Sequence, residues 1–275
     1  MQDFCFKVVR EFDATLDRKY FDSNSEGDAW PVIGGAAFNI WTPDTGERFA
    51  WANETTVVSA LSKKRRNQAR TRASAFYGTS ESVLSDPKTL PCYKPRIAFR
   101  LVTNATDTRT LIAALVPPKR VLTNAAPYLL KVSGNEADEA YLLGILSSIP
   151  LDWYARRYVV INMNTHIFNG LPIPDPKKHP KLTSRLIEIS ARLSANGNEF
   201  TSWANKVGVN VNSIGSETEK HSLICEVNAI SCLLYELSID QVRHIFKTFH
   251  RGWNYTEELT LTLAYYEEWS KTNVK

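Results

Sequence analysis

Pro43-Asp44 and Asp86-Pro87-Lys88 place two carboxylates and a lysine in the order a divalent-metal nuclease uses. Such a centre needs its carboxylates on neighbouring strands. The proline in the second string removes a ladder donor there, and strings this short recur by chance. The five histidines (His166, His179, His221, His244 and His250) have no metal-ligand spacing, and His244 and His250, six apart, do not share a helical face. Cys5, Cys92, Cys225 and Cys232 form no C-x-x-C pair. Cys225 and Cys232 are seven apart, which puts both on one helical face, where a thiol packs as a small hydrophobe. No phosphate-cradling or dinucleotide-binding glycine pattern occurs. The Asn/Asp-Pro-Pro-Tyr/Phe loop that holds an exocyclic amine for methyl transfer is also missing: Pro117-Pro118 stands between Val116 and Lys119. The inventory points to a chain that binds rather than reacts, with no catalytic or metal-ligating residue.

What it binds is suggested by where charge lies. The formal net charge is only +4, yet Thr55 to Ser80 contains no acid while Lys63, Lys64, Arg65, Arg66, Arg70 and Arg72 fall within ten residues. A segment this basic suits a polyanion, because each neutralised phosphate releases a counterion; the plainer alternative is a solvated, partly helical face. Arg96, Arg100 and Arg109 stand at ends or alternate positions of expected strands, and arginine matches guanine or phosphate bidentately. Asn104, Thr106 and Asp107 read either as a base-approaching loop or as an ordinary Asx turn. Arg156 and Arg157, with Asn162, Asn164 and His166 beyond them, form a second polar group whose rival role is helix capping. Trp41, Phe49, Trp51 and Tyr93 could stack on an unpaired base, although aromatics are more often core.

These groups need positioning elements. The expected fold class is α+β: a mixed α/β domain with a small sheet over residues 1–178, then a helical segment over 179–275. At 43% hydrophobic and 23% charged residues the composition is that of a globular protein. Residues from Trp30 to Trp51 read as short strands broken by Gly34-Gly35 and by the turn Pro43-Asp44-Thr45-Gly46. Residues 96–103, 109–116 and 120–132 read as three consecutive strands, the second ended by Pro117-Pro118. A helix capped by Asn135, with Glu136, Asp138 and Glu139 in its first turn, follows. A short helix over 151–158 and the extended Leu171-Pro172-Ile173-Pro174 come next. From Pro180, Leu182, Leu186, Ile189 and Leu193 recur at helical spacing. A polar stretch, 195–217, precedes a helix over 219–237. Ser238 and Gln241 make a capping box with Leu237 and Val242 as its staple, and Thr256 caps a last helix. No run of about 18 apolar residues occurs, and Met1-Gln2-Asp3-Phe4 lacks a signal pattern, so the expected location is cytoplasmic, without a membrane partner.

Several strings carry a resemblance. They are Arg10-Glu11-Phe12-Asp13-Ala14-Thr15, the stretch from Trp30-Pro31-Val32 through Trp51-Ala52, Pro95-Arg96-Ile97-Ala98-Phe99-Arg100 and Ala105-Thr106-Asp107-Thr108-Arg109-Thr110. Leu122 through Leu130 (LTNAAPYLL), Leu143-Gly144-Ile145-Leu146-Ser147-Ser148, Leu171-Pro172-Ile173-Pro174 and the tail with Phe249-His250-Arg251-Gly252-Trp253 complete the series. In this order they resemble the C-terminal region of type IIG-like restriction-modification methylases, which carry a TaqI-like specificity domain. The resemblance implies recognition of double-stranded DNA. It further implies a catalytic partner domain, outside this chain, that binds S-adenosylmethionine and methylates adenine N6. Two other readings remain: a helical protein-interaction module of the same assembly, and the metal nuclease.

Overall fold

A computed structural model describes residues 5–24, 29–250 and 252–273. Met1 to Phe4 and Arg251 lie outside them. The mixed α+β class expected from the sequence is what the chain adopts. Its contacts form two compact units. One is the chain up to Val102 together with Ala114–Gly134; the other is Thr103–Ala113 together with Asn135–Lys275.

The first unit is built on strands β1 (Cys5–Val9), β2 (Ala29–Ile33), β3 (Ala50–Asn53), β4 (Arg96–Phe99), β5 (Ala113–Val116), β6 (Val121–Leu122) and β7 (Tyr128–Ser133). They make one sheet of order β1-β7-β4-β5 and another of order β3-β2-β6. β1 runs antiparallel to β7, and β2 pairs antiparallel with β3 and parallel with β6. Helices α1 (Glu54–Gln68) and α2 (Glu81–Ser85) belong to this unit. The expected strand at 120–132 is split: Asn124–Pro127 turns the chain, so β6 and β7 join different sheets. The expected turn is present, with Gly46 at φ +87° donating its amide to Asp44 Oδ1, a conformation that needs glycine.

Glu11, just after β1, is buried against an equally buried Arg96 at 2.9 Å and accepts the amide of Leu122 in β6 at 2.7 Å. Burial pushes this carboxyl up, and the Arg96 charge and Leu122 amide pull against that without cancelling it. Phe12, Trp30, Val32, Val57, Leu61 and Val121 form the apolar core beside it.

The second unit is helical: α3 (Glu136–Leu146), α4 (Ile149–Ala155), α5 (Thr165–Asn169), α6 (Pro180–Ser194), α7 (Thr201–Val207), α8 (Glu217–Leu234), α9 (Ile239–Thr248) and α10 (Thr256–Asn273). Capping boxes start α3 at Asn135–Asp138 and α9 at Ser238–Gln241. α3 packs on α6, α6 on α8, and α8 on α10. Contacts divide the chain after Gly134, with 103–113 joining the later unit. The reason is physical: Tyr141 to Leu146 of α3 are buried all round, so that helix must sit inside the helical unit. Cys225 and Cys232 are buried on α8, where burial pushes both thiols up to about 12.

Gly144 sets the approach of α3 to α6. A Cβ there would run into Ser190 Oγ and come within 2.9 Å of Leu186 Cδ1. Gly144→Ala is therefore expected to destabilise by about 1–3 kcal/mol despite alanine's better helix propensity. Urea unfolding checks this; an unchanged midpoint would show that the two helices separate freely.

Candidate nucleic-acid interface

The basic run folds as the C-terminal half of α1 and the turn after it. α1 starts at Asn53, whose side chain accepts the Thr55 and Thr56 amides, and it buries Val57, Leu61 and Arg65 at four-residue spacing. That stripe fixes which cations reach solvent. Arg65 points inward, 3% exposed, and donates to Thr89 Oγ1 at 2.8 Å and to the carbonyls of Val83 and Asp86. Lys64 donates to the Glu11 carbonyl and to Asp17 Oδ2 at 2.7 Å and lies 4.5 Å from the Phe12 ring centroid. Both mount the helix. Lys63, Arg66, Arg70 and Arg72 are exposed, and none has an ion pair or side-chain hydrogen bond among the described residues.

One acid borders this face. Glu54, at the start of α1, accepts from Tyr93 Oη at 2.9 Å and lies 4.0 Å from Lys119 Nζ. Beside α1 runs an open recess of about 630 Å³ whose lining includes Glu54, Ser59, Ser62, Lys63, Arg66, Asn67 and Tyr93. The Ser62 hydroxyl oxygen in its lining is buried without a partner among the described residues.

Other cations singled out in the sequence have structural duties. Arg96 is 3% exposed and held by Glu11 and by the Pro91 and Arg120 carbonyls, so it faces no ligand from outside. Arg100 is half-buried, donates to the Phe38 carbonyl at 2.7 Å, and lines a 470 Å³ cavity with Gly34, Gly35, Arg48, Phe49 and Ala125. Of the four aromatics considered for base stacking, Phe49 is the exposed one, at 51%. Asp44 is gripped by both terminal nitrogens of Arg48 and approached by Arg120. Burial raises its carboxyl, but the Arg48 and Gly46 hydrogen bonds outweigh that and hold it low. Asp86 accepts the Lys88 amide at the head of a short 3-10 helix. Among the described residues no three His, Cys, Asp or Glu side chains gather as metal ligands.

In the helical unit, Asn104, Thr106 and Asp107 form an exposed Asx turn: Asn104 Oδ1 accepts from the Thr106 amide, and Asp107 Oδ2 accepts the Asn104 amide. Arg109 does not point outward but donates to Asp152 Oδ2 at 2.6 Å and to the Ser147 carbonyl. Arg156 staples the same loop through the Asp107, Thr108 and Ala105 carbonyls, reaches the Phe249 carbonyl, and lies 4.1 Å over the Phe249 ring. Arg157 is exposed and stacks 3.7 Å over Trp153. Asn164 precedes α5 without capping it. The sequence thus located the cations but could not separate ligand-facing ones from loop staples, which depends on contacts 18 to 93 residues away.

The fold and site define an α+β chain whose sheet-bearing unit carries a helix with an exposed cationic C-terminal half. No protein-family model and no curated protein matches the sequence. The chain is similar to a solved structure described as the type IIL restriction-modification enzyme MmeI in complex with DNA, at 14% identity and a TM-score of 0.44. The match covers 89% of this chain and 35% of that one, about a third of its length.

Proposed function

We propose that the chain reads double-stranded DNA as the specificity region of a restriction-modification system. Methylation of adenine is assigned to a catalytic domain outside this sequence, which holds the S-adenosylmethionine. The reading rests on the ordered series of strings that resemble such specificity regions. The observation that carries it is the exposed set Lys63, Arg66, Arg70 and Arg72, without an ion pair among the described residues and within a stretch, 55–80, that contains no acid. Burying or pairing these cations is what folding does with Arg65, Arg96 and Arg109; leaving four of them in one segment suits a phosphate backbone.

Binding to random-sequence duplex at two salt concentrations tests this. Four phosphate contacts predict a slope of about −3 to −4 in log affinity against log salt, or about 100-fold weaker binding for a fourfold rise in salt. Neutralising Lys63, Arg66, Arg70 and Arg72 to glutamine should remove most of that slope and weaken binding to all sequences alike. Salt-independent binding by the unmodified chain, or an unchanged slope in the variant, refutes the reading.

A further inference from the structure

Arg96, Arg109 and Arg156 are committed to the fold, which leaves base readout to other residues. We propose that α1 itself is the sequence-reading element, lying in the major groove with Ser59 and Asn67 on base edges. The inference rests on the DNA-binding reading above.

Three features of α1 carry it. First, its solvent face is one continuous stripe, Thr56, Ser59, Lys63, Arg66 and Asn67, at the three- and four-residue spacing of a helix. Neither Ser59 nor Asn67 has a side-chain partner among the described residues. Second, the stripe carries both kinds of contact group: short polar side chains, Ser59 and Asn67, that suit base edges, and long cations, Lys63 and Arg66, that reach phosphates. Among the described helices of ten or more residues, only α1 has no acid after its first residue. Third, the mounting is stiff: Val57, Leu61 and Arg65 anchor the inner face, and Lys64 is tied to Asp17. Stiff mounting is what discrimination between bases requires.

The dimensions agree. A helix about 10–12 Å across fits a major groove about 12 Å wide. The recess beside α1 gathers Ser59, Lys63, Arg66 and Asn67 on one lining, with Glu54 at the start of the helix and Pro87 and Tyr93 beyond it. Asparagine matches the N6 and N7 edge of adenine with two hydrogen bonds, and serine makes a single one to several bases.

Affinity selection from a random duplex library, by the full chain and by Ser59→Ala and Asn67→Ala, tests the assignment. Both side chains are exposed, so unchanged melting temperatures are expected and are measured alongside. The unmodified chain should enrich one consensus. Each variant should lose discrimination at one or two positions by about 5- to 100-fold, while keeping its affinity for random duplex within about twofold. Variants that enrich the unmodified consensus with the same strength overturn the role of α1 and leave the DNA reading standing. So does an Asn67→Ala chain that binds all sequences equally less well, or an unmodified chain that binds duplex without any consensus. A chain that retains no duplex even at low salt overturns both.

Discussion

Asp152→Ala is expected to release the 103–113 segment from the helical unit and to destabilise that unit by about 3–5 kcal/mol. Asp152 is fully buried on α4 and accepts four bonds: Arg109 Nε at 2.6 Å, the Thr110 amide at 3.1 and 3.2 Å to its two oxygens, and the Leu111 amide at 3.1 Å. Arg156 adds a second cation 3.6 Å away. Removing the carboxylate strands two backbone donors and a largely buried guanidinium, each of which costs more unpaired than the bond itself contributes. Hydrogen exchange at the Thr110 and Leu111 amides is the direct measurement, with protection expected to fall at least 100-fold. Asp152→Asn keeps one acceptor and should lose less. Protection retained in the alanine variant would show that packing of Leu111 and Ile112 holds the segment without the carboxylate.

In the sheet-bearing unit the corresponding loss comes from Glu11→Ala, again about 3–5 kcal/mol. The variant leaves Arg96, 3% exposed, without its counter-charge and the Leu122 amide without its acceptor. Pairing two buried charges recovers little beyond their own desolvation, so the cost arises from breaking the pair on one side. A double-mutant cycle separates the two. Glu11→Leu combined with Arg96→Met should cost less than the sum of the single changes, by more than about 1 kcal/mol in urea unfolding. Strict additivity would mean that the two residues act independently.

How much of this was legible in the sequence differs by element. Asn135 and Ser238 announced their helices because capping is local chemistry, complete within four residues. The expected strand over 109–116 begins only at Ala113, because Arg109 to Leu111 are claimed by Asp152, about forty residues away, and no local pattern encodes that. The candidate site shows the same division. The density of cations after Leu61 was visible, and the burial of Arg65 follows from the apolar stripe it shares with Val57 and Leu61. That Arg96 pairs with Glu11, 85 residues away, was not readable from either string. Ser59 and Asn67 escaped notice because uncharged polar residues on a helix carry no signal until the fold shows which face they occupy.

The path of the backbone constrains how such a protein can be divided. It leaves the sheet-bearing body after Val102, visits the helical one for eleven residues, returns at Ala114, and departs again after Gly134. Neither body is therefore a contiguous stretch of polypeptide. A recombination event that exchanged residues up to 134 for those of a relative would import a foreign Arg109-Thr110-Leu111 into the native Asp152 socket. Exchange of the sheet-bearing body alone succeeds only if that eleven-residue tongue is left behind, or is transplanted together with the carboxylate that grips it.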